Sequence, residues 1–153
     1  MDQGEDRMLA EELAALSATG AVGGRLVRAV AGLMRKNVHE IELSAPLPFE
    51  EAVRRVRRVV EGAGRPAGFT PAAPSGNDEE ATFRAVVGGG AAGLNPVVVT
   101  ARVVRADGVT ARIRIRAAAK EGLIRQRAGE RTAVGIAALL CEATGADGPH
   151  RRE

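Results

Sequence analysis

The sequence predicts an α+β fold: an antiparallel sheet of about four strands in the order β-α-β-β-β-α, with two helices on one face and an N-terminal helical arm. Three observations predict it. Four stretches alternate apolar and polar residues with period two, residues 49–61 repeat apolar side chains at helical spacing, and Pro/Gly clusters separate these segments. With 153 residues, 45% of them hydrophobic, the chain is long enough to bury a core as one domain. It divides into a helical arm or hairpin at 1–36, an α+β domain at 37–145 and a disordered tail at 146–153.

Residues 5–17 read as a helix, with Leu9, Leu13 and Leu16 on one stripe and Glu5, Asp6, Glu11 and Glu12 elsewhere. After TGAVGG, residues 25–36 repeat the pattern through Leu26, Ala29, Val30 and Leu33, and Arg35 and Lys36 supply the cations a helix C-terminus favours. His39, Ile41 and Leu43 then alternate with Glu40, Glu42 and Ser44, as a half-buried strand requires. Pro46 and Pro48 end that strand. Glu50 and Glu51 fall in the first turn of the next helix, whose apolar side holds Phe49, Ala52, Val53, Val56, Val59 and Val60 opposite Arg54, Arg55, Arg57 and Arg58. The Pro- and Gly-rich stretch from Gly62 to Asp78 reads as a loop.

Three more strands follow, turning Ala81, Phe83, Ala85 and Val87, then Val97, Val99, Ala101 and Val103, then Val109, Ala111, Ile113 and Ile115 inward. The last two form a hairpin. A two-residue Asp107-Gly108 loop would set Val103 against Arg112 and mix the faces. A three-residue loop with Gly108 left-handed pairs Val103 with Ala111, Ala101 with Ile113 and Val99 with Ile115, and sets Arg102 against Arg112. A final helix from about Glu121 to Ala143 turns Ile136, Ala137, Leu140 and Cys141 to the sheet, its Gly129 and Gly135 compensated by close approach to alanines. The outline is similar to small helix-over-sheet ligand binders of the helix-grip type, a likeness that carries no function by itself.

The candidate motifs fail on context. Gly88, Gly90 and Gly93 spell G-x-G-x-x-G, but Asn95-Pro96 leads into a strand, whereas a dinucleotide site needs a helix whose N-terminus faces the phosphates. His39, His150 and Cys141 lack zinc-ligand spacing, Cys141 sits among aliphatic residues, and Ser17, Ser44 and Ser75 stand in no nucleophile motif. The expectation is therefore a non-enzyme without cofactor or metal. No apolar run reaches the roughly 18 residues of a membrane span, the acidic start is unlike a signal peptide, and one cysteine makes no internal disulfide, so a cytoplasmic location is expected.

The formal charge is +3, and all but Lys36 and Lys120 of the 22 basic residues are Arg, a usage that reads as GC-rich codon bias. Five arginines nevertheless share one place: by the alternation, the outer face of the sheet carries Arg84, Arg102, Arg112, Arg114 and Arg116. Like charges across strands are destabilising, so acids of the same face (Glu40, Glu42, Glu80) or a partner must offset them. This face is the candidate binding surface. The primary reading is an interaction domain that self-associates as a homo-oligomer or takes a protein partner. The alternatives are a carrier of a small apolar ligand between sheet and helices, ranked lower because small residues favour tight contact, and nucleic-acid or anionic-surface binding by the arginines. Nucleic acid is disfavoured because the face has no aromatic residue on which bases could stack.

Overall fold

Five strands form one antiparallel sheet in the computed structural model, which describes residues 2–16, 35–70, 79–89, 95–121 and 127–147. In chain order the elements are α1 (Asp2–Leu16), β1 (Arg35–Ala45), α2 (Phe49–Ala63), β2 (Arg65–Thr70), β3 (Glu80–Gly89), β4 (Asn95–Arg105), β5 (Ala111–Glu121) and α3 (Ala128–Thr144). The strand order is β1-β5-β4-β3-β2. Helices α2 and α3 cover the inner face, and α1 crosses the outer one. Residues 25–34 of the second predicted helix and 148–153 of the predicted tail lie outside the described residues.

The alternation assigns the faces correctly. Ile113 and Ile115 are fully buried, as are Leu43, Val99, Ala101 and Val103, while Arg112 and Arg114 are exposed. In α2 the predicted apolar side is the buried one, through Phe49, Ala52, Val56 and Val60. Its arginine side is not uniformly solvated: Arg55 turns to α3 and donates from Nη1 to the Ala143 carbonyl at 2.8 Å, capping that helix end with a cation. The start of α2 is fastened by Arg105, whose Nη2 lies 2.6 Å from Glu50 Oε1 and whose guanidinium stacks 5.2 Å from the centre of the Phe49 ring.

Four expectations are corrected. Residues 65–70, read as loop, form a fifth strand; Pro66 and Gly68 hide it, and β2 tolerates them because it is an edge strand with a register shift between those two residues. Arg35 and Lys36 open β1 rather than close a helix, because β5 runs on to Glu121 and gives them partners: Arg35 stands opposite Glu121 and Lys36 opposite Lys120. The final helix correspondingly starts at Ala128, not near Glu121. It ends at Gly145, whose φ of 67° is left-handed and whose N–H donates to the Cys141 carbonyl at 2.9 Å.

The fourth correction is the β4–β5 hairpin. Its register is displaced by two residues: Val103 faces Ile113, Ala101 faces Ile115 and Arg102 faces Arg114. Residues 106–110 form the loop, Gly108 is not left-handed, and Val109, read as an inward strand residue, stands in the loop at 69% exposure. The turn is made instead by the Asp107 side chain, whose Oδ1 accepts from the Val109 N–H at 2.8 Å. That bond holds the Asp107 carboxyl below its ordinary value, outweighing the opposing effect of desolvation. A lowered folded-state pKa means the turn gains this stabilisation in full above the unfolded-state value and loses it as pH falls through the folded one. In carboxyl-detected NMR, Asp107 is expected to titrate below a free aspartate, with the Val109 amide shift following the same midpoint.

Candidate functional site

The outer face answers the question its arginines raise. Glu40 stands opposite Arg116 and Glu42 opposite Arg114 across β1 and β5. Arg116 Nη1 lies 2.6 Å from Glu40 Oε1, Glu42 is ion-paired with both Arg112 (3.4 Å) and Arg114 (3.2 Å), and Arg102 pairs with Glu80. The remaining acids come from α1. Glu5, only 4% exposed, sits between Lys36 Nζ and Arg116 Nε, each 3.1 Å away. Asp6 faces Lys36 at 3.6 Å and Lys120 at 3.9 Å, and Glu12 pairs with Arg65.

Between these polar ends, Leu9 is fully buried against Val98 and Ala118, with Met8 and Val86 packed around them. The acidic helix therefore lies across the sheet as a counter-charge with an apolar centre. Among the predicted site residues, Arg102, Arg112, Arg114 and Arg116 are all ion-paired within the chain. Arg84 stands beside Thr100 on the same face; Arg84 Nε, Thr100 Oγ1 and Arg102 Nε are buried without a hydrogen-bond partner among the described residues, leaving a small polar spot suited to ordered water. Sequence reasoning found the arginines and the sheet's own acids. It missed α1 as cover, because Leu9 and its acids could not be assigned a docking face.

The inner face is graded in side-chain size. One row across β1, β5, β4 and β3 holds Leu43, Ile113, Val103 and Ala81, and the next holds Ile41, Ile115, Ala101 and Phe83. The following rows hold His39, Ala117, Val99 and Ala85, then Asn37, Ala119, Val97 and Val87. Over β1 and β5 this small-residue end is closed by α3 at Gly129, where an added Cβ would lie 3.2 Å from the carbonyl oxygens of Ala117 and Asn37. Close approach therefore explains Gly129. It does not explain Gly135, which is exposed and has nothing within 4 Å of a built Cβ.

Over β3 and β4 the same end lies under α2, where Val59 and Ala63, with Val87, form a half-buried apolar rim. The chain then turns at Gly64, where an added Cβ would collide with the Val86 carbonyl oxygen. His39 is half-buried in the Ala117 row, Cys141 is on α3 and Ser44 is on the outer face, so these three are not gathered into one site. Gly88 lies in β3 opposite Pro96 of β4, so strands flank the glycine-rich string where a dinucleotide site would need a helix; residues 90–94 lie outside the described residues.

No family model and no curated protein matches the chain. Three solved structures share a distant likeness over 72% of it. Ara h 8.0201 aligns at 10% identity over 97% of its own length with a TM-score of 0.42. The Mll3558 protein from Rhizobium loti aligns at 12% identity over 98% of its length with a TM-score of 0.33. The Zhui aromatase/cyclase from Streptomyces sp. R1128 aligns at 7% identity over 87% of its length with a TM-score of 0.29. Likeness at this level establishes no ligand and no activity.

No helix among the described residues is long and apolar enough to cross a membrane.

Proposed function

We propose that the protein is a non-enzymatic carrier of a small apolar ligand, held between the sheet and its two covering helices at the small-residue end of the inner face. The observation that carries this reading is the gradient of side-chain size. The rows of Leu43 and Ile113 and of Ile41, Ile115 and Phe83 carry the largest inward side chains, and beyond them Ala85, Ala117 and Ala119 present little bulk. Helix α3 compensates over β1 and β5 through Gly129, whereas α2 has no glycine before Gly62.

Ala85, Val97, Val99, Ala117 and Ala119 are fully buried, and only the ends of these rows, at Asn37, His39 and Val87, reach solvent in part. A ligand therefore enters by displacing the last turns of α2 at the rim of Val59, Ala63 and Val87. The outer face supports the choice from the other side. Four of its five arginines, Arg102, Arg112, Arg114 and Arg116, are offset by carboxylates of the same chain, so their charge calls for no anionic partner.

Titration with the uncharged fluorophore 1-aminoanthracene tests the reading. Saturable one-to-one binding is expected, weakened about tenfold or more by Ala85→Leu, since filling the row competes with the ligand for the same space. Arg112→Ala on the opposite face should bind as the parent does. Absent saturable binding, or an Ala85→Leu variant of native circular dichroism that binds like the parent, would overturn it.

A further inference from the structure

The exposed side of α3 has a sequence that is complementary to itself when reversed. Val134 and Leu139 are 54% and 47% exposed, and Arg131, Gly135, Ala138 and Glu142 are exposed with them. At about 100° per residue the six fall within an arc of roughly 140°. Arg131, Gly135, Ala138 and Glu142 run down its middle, with Val134 and Leu139 on its flanks. Reflected through the point between Ile136 and Ala137, Arg131 falls on Glu142, Val134 on Leu139 and Gly135 on Ala138.

A two-fold axis normal to the helix, passing in front of this face at the level of that point, lays α3 antiparallel on a second copy of itself. Such an isologous contact demands the self-complementarity seen here. Apolar flank then meets apolar flank, and Gly135, with nothing within 4 Å of a built Cβ, leaves room for the second copy's Ala138. The charges supply the independent argument. Neither the Arg131 nor the Glu142 side chain makes a hydrogen bond or ion pair among the described residues. Each also stands at the wrong end of α3 for its macrodipole, the cation in the first turn and the anion in the last.

We propose that the protein forms a two-fold dimer through α3, in which Arg131 of each copy pairs with Glu142 of the other around a centre of Val134, Gly135, Ala138 and Leu139. The contact is independent of the ligand site, which lies on the opposite side of the inner helices.

Sedimentation equilibrium of the full chain, from micromolar to millimolar concentration, tests it with a charge swap. The parent is expected to show a monomer–dimer equilibrium. Arg131→Glu and Glu142→Arg should each weaken it about tenfold or more, because both symmetry-related pairs become repulsive. Each reversal improves the fit to the helix dipole, so neither should unfold the monomer. The double variant Arg131→Glu/Glu142→Arg should return to within about threefold of the parent, the pairs being restored with exchanged signs. A parent that stays monomeric throughout, a dimer indifferent to either single reversal, or a double variant no tighter than the singles would overturn the proposal.

Discussion

Ile115→Ala is expected to lower the free energy of unfolding by about 2–5 kcal/mol, and Arg114→Ala, its neighbour in the chain, by no more than about 0.5 kcal/mol. Ile115 is fully buried in the row with Ile41, Ala101 and Phe83, where helices α2 and α3 lie above the sheet, and truncation leaves a cavity that a close-packed layer cannot collapse into. Arg114 is on the outer face at 50% exposure, and the Glu42 that it contacts retains Arg112 when it is removed. Urea titrations read the contrast as a shift in midpoint at constant slope. Comparable losses from both variants would show that the two faces of β5 are not what separates these residues.

The same parity explains what the sequence disclosed and what it withheld. Period-two alternation identifies the inward residues of β3, β4 and β5, but it is unchanged when one strand slides by two positions. The apolar faces therefore agree equally well for a three-residue and a five-residue β4–β5 loop, and the choice falls to the hydrogen bond from the Val109 N–H to the Asp107 side chain. The strand character of Ala117–Ala119 was similarly concealed, since alanine is a poor strand former outside a packed context. Here Ala117 and Ala119 are buried inward and Ala118 outward beneath Leu9. The end of β5 depends on helices distant in sequence, and so does the start of β1 that pairs with it. Of the candidate surfaces, the outer arginines were legible from alternation alone, and three of their carboxylate partners with them. The size gradient of the inner face needed the true register before its rows could be drawn.

Arg116→Met is expected to release α1 from the sheet while leaving the sheet intact. Removing one partner of a fully buried ion pair costs about 3–5 kcal/mol, because the other charge is left without compensation. The cost here is smaller, since Arg116 is 26% exposed and Lys36 still reaches Glu5. Against it stands chiefly the burial of Leu9, worth about 1.5–3 kcal/mol. The two are comparable, and α1 packs against the outer face of the sheet alone, through Leu9 and ion pairs to the strands, so the chain sheds the strain by undocking one helix rather than by unfolding. Hydrogen exchange should then show α1 amides losing protection while Val99, Ala101, Ile113 and Ile115 keep theirs. Leu9→Ala should give the same pattern by removing the opposing term. Adding Glu5→Gln to Arg116→Met should recover part of the protection, because a neutral amide beneath the helix needs no cation. If sheet and helix lose protection together in Arg116→Met, α1 belongs to the cooperative core and the sheet is not stable without it.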